Sequence, residues 1–66
     1  MKPEDKAFRI YETIRYEVSL LKGTEALINE ITKKCAIITV DEILREITDE
    51  DDISWFKKVK QEIENL

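Results

Sequence analysis

Apolar residues in the first third of the chain recur every three or four positions, which is the period of an amphipathic α-helix. The members of this stripe are Ala7, Ile10, Tyr11, Ile14, Val18 and Leu21. Pro3 precedes them and is followed by Glu4 and Asp5, and a helix accepts proline and favours acidic side chains in its first turn. The pattern predicts a helix over residues 4–22, ended by Gly23 as a left-handed C-cap.

A second run of helical spacing follows directly, and Thr24 is placed to cap its first turn. The apolar positions of this run are Leu27, Ile28, Ile31 and Cys35. We predict a second helix to about residue 34. Residues 35–40 are rich in β-branched side chains, which also suit a short strand. Because no other segment predicts a strand to pair with them, and because Ile38 continues the apolar spacing, we favour a helical or irregular continuation.

Two capping signals divide the second half of the chain. Residues 39–42, with the sequence TVDE, match a capping box, which predicts a short third helix. Thr48 is the next capping residue, and the acidic residues at 49–52 that follow it favour the start of a fourth helix. The apolar stripe of that helix is Trp55, Phe56, Val59, Ile63 and Leu66. We therefore predict one all-α domain over residues 1–66, a small compact bundle of about four helices whose short third helix implies crossed packing.

Length and composition indicate the size of the core and the cellular compartment of such a domain. A chain of 66 residues buries only about 60% of its unfolded surface, so we expect a thin core that benefits from an oligomeric interface. Cys35 is the only cysteine and cannot form a disulfide within the chain, which favours a reducing compartment. The chain begins with charged residues rather than a secretory signal, and it has no apolar run of membrane-spanning length. These features predict a cytoplasmic protein with no membrane partner.

The charge of the chain disfavours nucleic acid as a partner. Fifteen acidic and eleven basic residues give a net charge of −4, which repels a polyanion. Residues 31–46 have the outline of a helix-turn-helix, but the second helix carries Asp41, Glu42 and Glu46 against Arg45 alone. A DNA-binding regulator therefore stays a distant alternative. Charged residues make up 39% of the chain, a tendency of thermophile proteins that suggests a hot-environment source.

The chain has no histidine, which removes the commonest general base and the commonest zinc ligand. The side chains left for catalysis are Tyr11, Tyr16, Cys35, Lys57, Lys58 and the carboxylates. No pair of them has a spacing that specifies a reaction, and Cys35 fits a buried structural thiol better than a reactive one. We predict a protein that is not an enzyme and holds no organic cofactor.

Four consecutive acidic residues are the strongest candidate for a metal site. Asp49, Glu50, Asp51 and Asp52 could offer oxygen ligands to Ca²⁺ or Mg²⁺, although the glycine and the distal glutamate of an EF-hand are missing. The favoured interpretation is simpler, because acidic side chains at a helix start complement the helix dipole. Cation binding is therefore the second hypothesis for function.

The leading hypothesis is contact with another protein. Tyr16 falls on the polar side of the first predicted helix with Arg9 and Glu12, and Tyr and Arg are enriched at binding hot spots. Large apolar residues also lie off or beside the predicted stripes, namely Phe8, Tyr16, Leu20, Ile28 and Ile53. One small core cannot bury all of them. We predict a small non-catalytic interaction module that binds a protein partner or pairs with itself as a homodimer.

Overall fold

The first helix, α1, comprises Pro3–Ser19 in a computed structural model that describes residues 1–21 and 23–66. Pro3 begins the helix, with Glu4 and Asp5 in its first turn, as the sequence predicts. The helix ends before the predicted limit, and that limit, Lys22, lies outside the described residues.

The end of α1 differs from the predicted glycine cap. Its C-cap is Leu20, in right-handed helical conformation, and no described residue has a positive φ, so the left-handed cap at Gly23 is wrong. Leu20 and Leu21 are 66% and 65% exposed. The helix closes with hydrogen bonds between residues three apart, from Leu20 N–H to the Glu17 oxygen and from Leu21 N–H to the Val18 oxygen.

The second helix, α2, comprises Glu25–Glu46 without interruption. Thr24 caps it as predicted, because its hydroxyl accepts a hydrogen bond from the backbone N–H of Leu27 at 3.2 Å. A helix of 22 residues is about 33 Å long, which accounts for most of the 40 Å length of the molecule.

The continuity of α2 overturns the predicted division between a second and a short third helix. Thr39 does not act as an N-cap: its hydroxyl donates to the carbonyl oxygen of Cys35 at 2.9 Å, inside the helix. Thr32 does the same to Ile28 at 2.6 Å. Ala36 and Val40, both within residues 35–40, are fully buried, so packing holds this β-branched segment helical. A helical continuation is one of the two alternatives that the sequence favoured.

The third helix, α3, comprises Glu50–Glu64. Its N-cap is Asp49 and not the predicted Thr48: the Asp49 carboxylate accepts from the backbone N–H of Asp51 at 2.9 Å and of Asp52 at 3.2 Å. The described chain therefore has three helices instead of about four. With no short helix among them, the prediction of crossed packing loses its basis.

Every pair of helices is in contact, which confirms the all-α, compact prediction. The buried cluster takes residues from all three helices: Ala7, Ala36, Val40, Val59 and Ile63. Ala7 of α1 and Ala36 of α2 leave room for close approach of their helices. Trp55 and Phe56, predicted in the buried stripe of the last helix, are partly buried and pack against this cluster. Their two rings meet edge to face, with centroids 5.0 Å apart.

Candidate interaction surfaces

Three large aliphatic side chains of α2 point away from the bundle. Leu27, Ile31 and Ile38 are exposed, and at about 100° per residue they share one side of the helix. The buried positions Ala36 and Val40 lie on the opposite side. We call Leu27, Ile31 and Ile38 the α2 outer face. It contains Leu27 and Ile31, two of the four residues of the stripe that the sequence assigned to the second helix. Of the other large aliphatic residues of α2, Ile37 and Leu44 are partly buried and pack against the core.

The charges along the α2 outer face cancel. Lys34 pairs with Glu30 at 3.3 Å, and Arg45 pairs with Glu42 at 3.2 Å, both within the helix. Exposed pairs of this kind add little to stability. Their consequence for binding is larger, because two copies of this face would meet without the repulsion expected from a net charge of −4.

Cys35 lies at the edge of the α2 outer face. Its side chain is partly exposed and has no disulfide partner, so Cys35 is less buried than the structural thiol that the sequence favours. One turn away on the helix, the hydroxyl of Thr39 bonds to the Cys35 carbonyl.

The outer side of α1 carries a second exposed group. Phe8, Glu12, Tyr16 and Leu20 follow one another at four-residue spacing and are all exposed; we call them the α1 outer face. Arg9 is exposed beside them. The predicted interaction residues Tyr16, Arg9 and Glu12 are therefore together and accessible, and their role stays a prediction. Ile28 and Ile53, also singled out from the sequence, are half-buried.

A groove between α1 and α2 has no counterpart in the sequence analysis. It has a volume of about 350 Å³ and is lined by Lys6, Arg9, Ile10, Thr13, Ile14 and Thr39. Five of these residues come from the start and middle of α1, and Thr39 comes from α2. No local pattern identifies such a groove, because it exists only where two helices meet.

Polar contacts between helices set how α1 lies on α2. Asn29 accepts from the Tyr11 hydroxyl at 3.3 Å and from Arg15 Nε at 3.0 Å. Arg15 also reaches Glu25, with 3.5 Å between nitrogen and oxygen. The two contacts made by Asn29 are partly buried and give Tyr11 and Arg15 partners on another helix. Local sequence patterns do not indicate these contacts, because the partners are 14 and 18 residues apart.

Two contacts join α3 to α2. Lys60 Nζ lies 2.8 Å from the Asp41 carboxylate, and this hydrogen bond together with the charge of Asp41 raises the pKa of the Lys60 ammonium. Lys33 Nζ donates to the backbone oxygen of Glu64 at 3.2 Å. Both contacts hold α3 against α2.

The four acidic residues at 49–52 form the start of α3. Asp49 uses one carboxylate oxygen to cap α3, and Glu50, Asp51 and Asp52 are exposed in the first turn. Within residues 1–21 and 23–66, no group of three or more acidic, cysteine or histidine side chains is arranged to hold a metal ion. Binding of Ca²⁺ or Mg²⁺ through these four residues stays a prediction.

The helix-turn-helix outline is absent from α2, because the helix continues through residues 35–38 where the turn was needed. In the part of the chain that the structure describes, no helix combines the length and the apolar character needed to cross a bilayer.

Fold and surface together define a small all-α protein with three mutually packed helices and exposed apolar residues on two of them. Compared with protein families, with curated proteins and with solved structures, the chain matches none. The case for a function therefore rests on its own surfaces.

Proposed function

We propose that this protein is a small non-catalytic interaction module that pairs with a second copy of itself through the α2 outer face. The observation that carries the proposal is the position of Leu27, Ile31 and Ile38, exposed on the side of α2 opposite its buried residues. A helix that is apolar on both sides is typical of a helix with neighbours on both sides. Within the bundle α2 has neighbours on one side only.

The size of the face indicates a weak pair. Burying one Leu or Ile side chain completely contributes about 1.5–3 kcal/mol. Since these three side chains are partly covered already, two copies meeting face to face gain on the order of 5 kcal/mol. That gain is comparable with the lower end of the cost of association, about 4–15 kcal/mol. We therefore expect association that depends on concentration, with monomer and dimer both present.

Charge supports pairing with a second copy. The ion pairs of Lys34 with Glu30 and of Arg45 with Glu42 leave the borders of the face neutral. Pairing also reinforces a thin core, because any contact made only by the folded state stabilises that state.

The test compares two exposed side chains on different helices. Ile38 is 61% exposed and Tyr16 is 67% exposed, so Ile38→Glu and Tyr16→Glu are matched in accessibility and charge. Sedimentation of the wild type from micromolar to millimolar concentration should show a rising mass. Ile38→Glu should abolish this rise and Tyr16→Glu should leave it unchanged, while circular dichroism verifies that both variants keep their helices.

The other outcomes are equally informative. Loss of association in Tyr16→Glu alone would transfer the interface to the α1 outer face, with Tyr16, Arg9 and Glu12 as its residues. A wild type that stays monomeric at every concentration would remove self-association as the function.

A further inference from the structure

Two basic side chains border the groove between α1 and α2. Lys6 and Arg9 are one helical turn apart on α1, and Thr13 continues the same border a turn further along. Thr39 of α2 supplies a second hydroxyl. The apolar part of the lining is Ile10 and Ile14, both partly buried and packed against the core. The groove thus combines positive charge and hydroxyls with an apolar floor.

The electrostatics of the groove differ from those of the whole protein. The chain has a net charge of −4, yet the lining contains two cations and no carboxylate. Among the described residues, neither Lys6 nor Arg9 has a carboxylate oxygen within 4 Å. Their charges are therefore free to attract an anion that enters the groove.

The volume of the groove limits the size of its occupant. About 350 Å³ lies at the lower end of the range of small-molecule sites, roughly 300–1,000 Å³. We therefore consider a small molecule as the occupant.

We propose that the groove binds a small amphipathic carboxylate, a molecule with one aliphatic chain and one terminal carboxylate. Lys6 and Arg9 attract the carboxylate, for which guanidinium is the better geometric match. The Thr13 hydroxyl is a donor within the same lining, whereas the Thr39 hydroxyl already donates to the Cys35 carbonyl oxygen and can only accept. The aliphatic chain covers Ile10 and Ile14. This proposal is independent of self-association, because it uses none of the residues of the α2 outer face.

Four related probes test the proposal on the intact chain by amide NMR. Octanoate carries both the chain and the charge, acetate carries the charge alone, octan-1-ol carries the chain alone, and octylammonium reverses the charge. Octanoate should shift the signals of residues 6–14 and Thr39 in a saturable way, whereas the other three produce far smaller shifts there. Equal responses to octanoate and octylammonium, or octanoate shifts confined to Leu27, Ile31 and Ile38, would overturn the proposal.

A matched pair of charge reversals completes the test. Arg9→Glu should weaken octanoate binding about tenfold, because one attraction is lost and one repulsion is added. Lys57→Glu makes the same change of charge at an exposed position of α3 and should leave the affinity unchanged. Equal losses in both variants would reduce the effect to net charge and overturn the assignment of the site.

Discussion

The helices α2 and α3 differ in how completely the bundle buries their large apolar side chains. On α3, Val59 and Ile63 are fully buried, Trp55 and Phe56 are half-buried, and no large apolar side chain of the helix is exposed. On α2, by contrast, Ile38 is as accessible as a typical surface residue although Val40, two positions later, is fully buried. The bundle therefore covers the large apolar side chains of α3 but leaves those on one side of α2 exposed. Further contacts should be sought on that side of α2.

The strongest challenge to this comparison is to shorten one isoleucine on each helix. Ile63 of α3 has no exposed surface, so Ile63→Ala should lower the free energy of unfolding by about 2–5 kcal/mol through lost burial and a cavity. Ile38→Ala on the α2 outer face should lower it by less than about 0.5 kcal/mol in dilute solution. Urea unfolding at a concentration where the protein is monomeric measures both values.

The outcome of that pair decides whether the two helices differ as described. Similar losses in both variants would mean that Ile38 is covered in solution, either by the bundle or by a second copy. Repeating the unfolding at higher protein concentration separates these cases, because only self-association makes stability depend on concentration.

Removing the N-caps of α2 and α3 should have an effect of intermediate size on the free energy of unfolding. Thr24→Ala and Asp49→Ala each remove a side chain that accepts hydrogen bonds from the first turn, and each should cost about 1 kcal/mol. Thr48→Ala should change the free energy of unfolding by only a few tenths, because Thr48 is not the cap. A larger effect of Thr48 than of Asp49 in thermal melts would restore the cap predicted from sequence.

The same melts decide the cation hypothesis for Asp49, Glu50, Asp51 and Asp52. A ligand of the folded state raises the melting temperature as its free concentration rises. Because the Asp49 carboxylate is occupied by the backbone of α3, we expect the melting temperature to be the same with and without millimolar Ca²⁺ or Mg²⁺. A saturable rise that Asp51→Asn and Asp52→Asn remove would instead establish a cation site.

The smallest expected effect concerns the contact that joins the two compared helices, between Lys60 of α3 and Asp41 of α2. The hydrogen bond to Asp41 and its charge raise the pKa of Lys60 above the ordinary lysine value of 10.5. A raised lysine pKa contributes stability that is fully present below 10.5 and is lost as pH rises through the folded value. Because both side chains are about one-third or more exposed, solvent screens the effect and keeps it small.

Lys60→Met gives the measurement for this pair. Near neutral pH the wild type should be slightly more stable than the variant in urea unfolding, and the difference should disappear at strongly alkaline pH and shrink in high salt. A difference that is constant across this pH range would assign the loss to packing of the lysine chain instead of its charge.

Much of the local structure could be predicted, since it depends on neighbours in the chain. Pro3 with the acids that follow it, and Thr24 before an apolar repeat, indicated two helix starts that the structure has. The apolar stripe predicted for α3 identified its buried side through Val59 and Ile63, but Leu66, the last residue of that stripe, follows the helix and is 51% exposed. Periodicity of this kind is sufficient when a helix has one hydrophobic face.

The predictions are wrong where a local sequence pattern is compatible with two structures. The hydroxyl of Thr39 can cap a new helix or bond to the preceding turn, and the structure has the second arrangement. On α2 the predicted buried stripe was Leu27, Ile28, Ile31 and Cys35, whereas the fully buried residues are Thr32, Ala36 and Val40. Small side chains allow close helix packing, and hydrophobicity alone does not reveal that preference.

The sequence by itself determined that this protein is helical, where two of its helices begin and which side of α3 is buried, because these depend on hydrogen bonds and periodicity within a few residues. The tertiary structure alone decided that residues 35–40 continue α2, that Leu27, Ile31 and Ile38 face outwards, and that a groove lies between α1 and α2. Those features depend on which surfaces meet, and the free energy of such contacts comes from residues far apart in the chain.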